Sequence, residues 1–289
     1  YMPDGLWSLV AKHMPRSNRQ EDWADADHLE ERSKPARGEL VLDVQAVRKQ
    51  FGGLVAVNDI SFQINAGQIV GLIGPNGAGK STTFNLITGV LPLTSGAVTF
   101  RGDNISGLAS REILRKGMAR TFQHVKMIPD MTVLENVAIG GYSRGHTGVL
   151  SGMLGTNRDE EQRLFKLAQQ QLERIGIGHT LHEQAGNLAM GQQRLMEIAR
   201  ALCADPALLL LDEPAAGLRH KEKQALVEVL RQLQREGVSI LLVEHDMDLV
   251  MQVCDKLVVM EFGTLLLEGT PKEIQESPVV RAAYLGTEH

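Results

Sequence analysis

Scarcity narrows this chain before any motif does. Two cysteines in 289 residues, Cys203 and Cys254, cannot build a disulfide framework, and neither stands at metal-ligand spacing from another ligating residue. Both lie in apolar surroundings, as reduced core thiols of a cytosolic protein do. No apolar run approaches the roughly 18–20 residues that a bilayer-spanning helix requires. The longest, at 207–211 and 240–243, have the length of buried strands, so the chain is not expected to cross a membrane itself. The start of the chain lacks a charged region followed by an apolar one, the mark of a secretory signal. A basic excess is missing as well. Thirty Lys and Arg against 35 Asp and Glu leave a formal net charge of −5, which argues against a general nucleic-acid binder while leaving room for a local basic patch.

What remains is ordinary globular material, 43% hydrophobic and 22% charged, with length for one large domain or two modest ones. Residues 1–38 differ from the rest. After a short apolar start comes a polar, charge-mixed stretch with prolines at 15 and 35, which reads as a linker or flexible arm. From residue 39 onward the pattern changes. Residues 40–47 and 60–64 alternate apolar and polar side chains, as half-exposed antiparallel strands do. Residues 68–73 form a short apolar strand leading into a glycine-rich loop and a helix starting near Lys80, and 97–100 predicts another strand. Residues 158–175 carry apolar side chains at helical spacing: Leu164, Leu167, Ala168, Leu172 and Ile175. Strand, helix and strand follow at 207–211, 221–235 and 238–243, which predicts a parallel sheet with covering helices. Residues 256–260 and 264–267 predict a hairpin, and the glycine-rich stretch 140–155 a surface loop.

Gly74-Pro75-Asn76-Gly77-Ala78-Gly79-Lys80-Ser81 fits G-x-x-x-x-G-K-[ST]. A backbone that wraps phosphate oxygens with successive N–H groups needs glycine, because no Cβ fits so close to the anion. The following helix aims its positive end at the same charge. Lys80 is placed to reach the β- and γ-phosphates and Ser81 to ligate Mg²⁺, with Thr82 next along. A strand before the loop and a helix after it supply the context that separates this motif from a plain glycine-rich turn.

The run 208–211 ends in Asp212 and Glu213. Ligands of α/β proteins bind at the carboxyl ends of parallel strands, so Asp212 is placed to hold Mg²⁺, directly or through water, and Glu213 to polarise an attacking water. His245 leaves the 238–243 strand on the same edge, with Glu244 between. It is expected to offer a positioned donor near a γ-phosphate. His179 and His182 read as a helix-end or loop pair rather than a metal site.

With these residues in view, the chain resembles the ABC transporter ATPases over about 39–289. The decisive segment is Asn187-Leu188-Ala189-Met190-Gly191-Gln192-Gln193-Arg194, which resembles the family signature L-S-G-G-Q. The resemblance implies an α/β P-loop cassette with a mixed RecA-like core, an antiparallel β subdomain and a helical subdomain at about 124–190. It implies that Leu188, Ala189, Gly191 and Gln192, opening a helix, face the γ-phosphate bound to an opposing subunit. Phe51 then matches the adenine-stacking aromatic, and Gln123, in Thr121-Phe122-Gln123-His124, the glutamine that senses Mg²⁺ or the water. His245 matches the switch histidine and Glu213 the catalytic base.

The subtype resembles the ATPases of branched-chain amino acid importers through Phe51-Gly52-Gly53-Leu54-Val55-Ala56-Val57-Asn58, Glu213-Pro214-Ala215-Ala216-Gly217-Leu218, Val243-Glu244-His245-Asp246-Met247 and Ala283-Tyr284-Leu285-Gly286. It implies ATP and Mg²⁺, permease partners, a second ATP-binding subunit (identical or related), an indirect link to a periplasmic binding protein, and a peripheral place on the cytoplasmic face of the membrane. Two positions depart from the pattern. Ala189 replaces a serine common in the wider family, removing a hydroxyl, and Arg219 stands where an aspartate is usual. Tyr1-Met2-Pro3-Asp4-Gly5-Leu6-Trp7 resembles the cytosolic end of a permease of the same importer class, so a cassette fused behind a permease is expected as readily as an unrelated extension. Other classes fit less well. A non-transport ABC ATPase of ribosome or DNA generally has two cassettes or a coiled-coil insertion, a P-loop kinase lacks the 188–192 segment, and a degenerate cassette would not retain Lys80, Asp212, Glu213 and His245 together.

Overall fold

A computed structural model describes residue 23 and residues 25–121, 126–144 and 158–285. Two sheets organise them. The first has the order β2-β1-β4-β5, built from β1 (Leu40–Phe51), β2 (Leu54–Asn65), β4 (Ser95–Phe100) and β5 (Asp103–Asn104). All its pairs are antiparallel. Both long strands run further than alternation alone predicts. Ala46 adopts φ 44° where the register shifts between Val44 and Val47, and such a bulge interrupts the period-two pattern without ending the strand.

The second sheet has the order β10-β9-β3-β8-β7-β6. It contains β3 (Ile69–Ile73), β6 (Met118–Arg120), β7 (Leu208–Asp212), β8 (Ser239–Val243), β9 (Lys256–Glu261) and β10 (Thr264–Gly269). Only the β9–β10 hairpin is antiparallel. Every residue of β3, β7 and β8 is buried, which is why these strands read as unbroken apolar runs. Their side chains nevertheless alternate between two cores. Ile69, Leu209, Leu211, Ile240 and Leu242 join the helical side. Val70, Leu72, Leu208, Leu210 and Leu241 join the side shared with the antiparallel sheet. That second side also takes Phe84, Leu86 and Ile87 of α1 (Lys80–Ile87). At about 1.5–3 kcal/mol for each fully buried Leu, Ile or Phe, these two faces fix how the strand ends are aligned.

The helices are α2 (Ser110–Lys116), α3 (Val133–Ala138), α4 (Arg158–Arg174), α5 (Met190–Leu202), α6 (His220–Arg235), α7 (Met247–Val253), α8 (Pro271–Glu276) and α9 (Pro278–Leu285). In α4 the predicted stripe is real: Leu164, Leu167, Ala168 and Leu172 are all buried, and Ile175 follows. Two expectations change. Trp23 lies within the stretch read as a linker, yet it is buried, 5.4 Å from the Phe165 ring, and its Nε1–H donates to Gln169 Oε1 at 2.8 Å. Farther along, the Arg32 N–H donates to Asp205 Oδ2. Polar composition concealed one large apolar anchor. Gly140 and Gly141 belong to a 3₁₀ turn (Ile139–Arg144) rather than a surface loop; a Cβ on Gly140 would stand 1.8 Å from the Arg200 carbonyl oxygen. Residues 145–155 of that stretch lie outside the described residues. His179 sits in a 3₁₀ turn (Gly178–Thr180), and among the described residues no group of three or more His, Cys, Asp or Glu side chains could hold a metal. No described helix is long and apolar enough to cross a membrane. Both cysteines are free and buried, and burial pushes the Cys203 thiol up to about 12.

Candidate functional site

The loop from β3 to α1 follows directly from its glycines. Gly74 adopts φ 148°, and a Cβ there would meet the Met260 carbonyl oxygen at 2.1 Å. Gly79, the residue before α1, adopts φ 96°, and a Cβ there would lie 2.7 Å from the Ala56 oxygen. The loop is therefore pressed between β9 and β2 at spacings only a bare backbone permits. Lys80, the first residue of α1, is buried. Its Nζ donates to the Gly74 oxygen at 2.7 Å and the Pro75 oxygen at 2.9 Å. Burial lowers the Lys80 pKa, against the opposing pull of Glu213 and then Asp212. No acidic residue occupies the first turn of α1, so no side chain of that turn offsets the positive field at the helix start.

A cavity of about 460 Å³ opens over this loop, bounded by residues 76–82, by Leu54, Val55 and Ala56 of β2, by Glu213, and by Phe262 and Gly263 of the β9–β10 turn. That volume suits a small organic ligand. Phe51 does not line it. The residue is 45% exposed, with the Lys49 ammonium 4.9 Å from its ring centroid, although it pairs across the hairpin with Leu54, which does line the cavity.

Asp212 closes β7 and is buried, and its Oδ1 has no hydrogen-bond partner. Burial raises its pKa, countered first by the charge of Arg120. A buried carboxylate oxygen without a donor is costly, and a hard divalent cation is the partner that such an oxygen fits. Ser81 is exposed and lines the cavity, and its hydroxyl and the Asp212 carboxylate are oxygen donors of the kind Mg²⁺ takes. Glu213 follows at φ 48°, a left-handed conformation costing of order 1–3 kcal/mol in a non-glycine residue. Its N–H donates to the Val243 oxygen at 2.8 Å, which ties the turn to the end of β8. His245 lies just beyond that end, its Nδ1 3.8 Å from Glu213 Oε1 and 3.9 Å from Glu244 Oε2.

Two participants escaped sequence reasoning. Arg120 of β6 stands over the Phe84 ring, donates to Asn85 and Thr88 at 3.0 and 2.8 Å, and places a cation near Asp212. Glu244 is fully buried and accepts N–H groups from Ala215, His245 and Asp246 at 2.7, 3.0 and 3.2 Å. Burial raises its pKa while the three donors hold it down. A carboxylate next to a strand end reads as a solvated turn, so the only available signal was its place between the apolar run and His245.

The structure gathers Lys80, Asp212, Glu213 and His245 at one edge of the parallel sheet. Leu188, Ala189, Gly191 and Gln192 do not line the cavity that Lys80 and Glu213 border. They open α5 instead: Ala189 precedes its first turn and Gln192 Oε1 accepts the Ala189 N–H at 3.2 Å. A Cβ on Gly191 would stand 2.8 Å from Glu222 Oε1. Arg219 precedes α6 and is exposed, its N–H donating to Glu222. Gln123 lies outside the described residues.

A family model described as ABC transporter matches residues 57–216, and one described as Branched-chain amino acid ATP-binding cassette transporter matches residues 264–289. The chain is 45% identical over 249 residues to the high-affinity branched-chain amino acid transport ATP-binding protein LivG of Salmonella typhimurium, covering 85% of this chain and 98% of that protein. It is 42% identical to the protein of like name, BraF, of Pseudomonas aeruginosa, with the same coverage. Among solved structures, the ADP conformation of an ATP-binding cassette of an ABC transporter aligns with a TM-score of 0.77 at 33% identity, over 86% of this chain and 99% of that one.

Proposed function

From its membership of the ABC transporter ATP-binding family, we propose that this chain, an ATPase, energises an importer of branched-chain or related amino acids. One observation carries the assignment of the site: a glycine-built phosphate loop and a strained glutamate border one cavity, and a buried carboxylate with an orphaned oxygen and a histidine flank that glutamate. The triphosphate lies along residues 74–82, and Lys80 exchanges its two loop carbonyls for the β- and γ-phosphate oxygens. Ser81, Asp212 and Gln123 would hold Mg²⁺, which when bound would neutralise phosphate charge. The base extends toward the β1–β2 hairpin, where Phe51 stands beside Leu54.

Glu213 accepts a proton from water as the water oxygen bonds to the γ-phosphorus and the bond to the β,γ-bridging oxygen breaks, releasing ADP and phosphate. Lys80 and His245 hold the charge that develops on the equatorial oxygens. Gly191 and its neighbours cap the γ-phosphate of a second cassette with the start of α5, so hydrolysis requires pairing. Loss of the γ-phosphate then separates the two halves and passes motion through residues 124–190 to transmembrane permease subunits at the cytoplasmic face. Residues 1–38 are the segment through which a fused permease would connect. Glu213→Gln is the direct test. It should bind MgATP and accumulate as a dimer while turnover falls about 10²- to 10⁴-fold, and near-normal turnover would refute the assignment.

A further inference from the structure

Glu244 has no part in the chemistry above, yet it is the most completely buried charged side chain at the site. Residues Asp212 and Val243 are the last paired positions of β7 and β8. Past them the sheet ladder cannot continue, because Glu213 turns off at φ 48°. One backbone bond, from the Glu213 N–H to the Val243 oxygen at 2.8 Å, reaches across the gap. The Glu244 carboxylate supplies the rest. Its Oε1 takes the Ala215 N–H from the loop leaving β7, and its Oε2 takes the His245 and Asp246 N–H groups from the loop leaving β8.

An apolar or hydroxyl side chain would occupy this place at lower desolvation cost. A carboxylate, though, has two acceptor oxygens with lone pairs enough for three N–H groups from two separate loops. The far side of the same loop is held too: Asp246 pairs with Lys223 and accepts the Leu249 N–H at 3.0 Å to open α7. The backbone of His245 is thus gripped at both flanks, while 61% of its side chain is exposed, with Nδ1 3.8 Å from Glu213 Oε1.

We propose that Glu244 is a positioning residue that joins the loop carrying Glu213 to the loop carrying His245 into one rigid unit, fixing imidazole and water-directing carboxylate relative to each other. This rests on the roles given above to Glu213 and His245. The joined loop is 213–218, whose far end packs beside α5: a Cβ on Gly217 would touch Met190 Sδ at 2.8 Å. A change of position at the start of α5 therefore reaches His245 through Ala215 and the Glu244 carboxylate.

The experiment is steady-state MgATP hydrolysis by the full chain, with wild type, Glu244→Gln, Glu244→Asp, His245→Ala and the Glu244→Gln/His245→Ala double variant. Glutamine keeps one acceptor oxygen and turns an N–H₂ group against the other donors. Its kcat is expected to fall about tenfold, with KM for MgATP held within about twofold, because misplacement costs rate and leaves the phosphate loop intact. Asp keeps the charge but is one methylene shorter; it guards against a Gln chain that does not fold and should show a smaller fall in kcat, again at constant KM. If Glu244 acts through His245, the double variant is no more than about twofold slower than His245→Ala. A kcat within twofold of wild type for Glu244→Gln, a KM that rises in step with the fall in kcat, or losses that multiply in the double variant would each overturn the proposal. Absence of MgATP turnover in the wild type would instead remove the reading of the site on which it stands, and the proposal with it.

Discussion

Gly74 and Gly77 occupy one loop and both have positive φ, at 148° and 80°, yet their surroundings differ completely. A Cβ on Gly77 meets nothing within 4 Å, whereas a Cβ on Gly74 would stand 2.1 Å from the Met260 carbonyl oxygen. Gly77→Ala should therefore cost only the left-handed conformation, about 1 kcal/mol. For a domain of this size that lowers Tm by roughly 2–4 °C. Gly74→Ala must also open the spacing between the loop and β9 by at least about 1.3 Å, from 2.1 Å to ordinary contact. The Gly74 oxygen accepts from Lys80 and its neighbour Ile73 pairs with Val259, so that shift spreads into the lysine and the sheet. A cost of about 3–5 kcal/mol follows, at the upper end for single substitutions, with a Tm fall of roughly 8–15 °C. Thermal unfolding without nucleotide gives the stabilities, and titration with MgADP reports the loop. Gly77→Ala should bind within about tenfold of wild type and Gly74→Ala should bind at least about a hundredfold more weakly, the second being about 2.7 kcal/mol. Equal stability of the two variants would refute the claim that the Met260 contact, rather than φ alone, demands glycine.

Asp212→Asn should separate stability from function. Removing a buried charge whose oxygen lacks a donor is expected to leave the nucleotide-free protein as stable or up to about 1 kcal/mol more stable, while MgATP hydrolysis falls by at least about a hundredfold. The pH dependence has a definite sign. A carboxyl whose folded pKa is raised stabilises the fold while protonated, and that contribution is lost as pH rises from the ordinary aspartate value through the raised one. The gain of Asn over Asp should therefore be larger at neutral pH than in acid, and unfolding curves at several pH values would expose the opposite trend. Trp23→Ala removes a buried ring from Phe165 and a bond from Gln169, at about 2–4 kcal/mol. Denaturant unfolding should detect it, and hydrogen exchange should quicken in α4 ahead of β3; no change in either would mean that Trp23 does not anchor the segment.

The legible parts of the fold are those where one physical demand acted alone. β3, β7 and β8 are covered on both faces, so they appear as apolar runs, and their carboxyl ends located the site. α4 presents one face to a core over 17 residues, long enough for its period to show. Legibility failed where two demands overlapped or the element was short. The bulge at Ala46 broke the alternation of β1, and α2 and α7, at seven residues each, are too brief for periodicity. Among the site residues, Lys80, Ser81, Asp212 and Glu213 could be read because phosphate and metal chemistry limit residue type and spacing. Glu244 could not, since its role depends on Ala215, 29 residues earlier. Gly191 was readable as part of a helix opening. It does not line the cavity over the phosphate loop of its own chain, which is what the proposed pairing must explain.

Complementation by mixing tests pairing most directly. A Lys80→Ala chain retains the α5 opening but has a disabled phosphate loop; a Gly191→Asp chain retains the loop but sets a carboxylate against the partner's γ-phosphate. Each alone should hydrolyse MgATP at background rate. Mixed, they form one intact composite site per dimer, and turnover should rise several-fold above the mean of the two. A mixture that merely averages its components would contradict a site shared between Lys80 of one chain and Gly191 of the other.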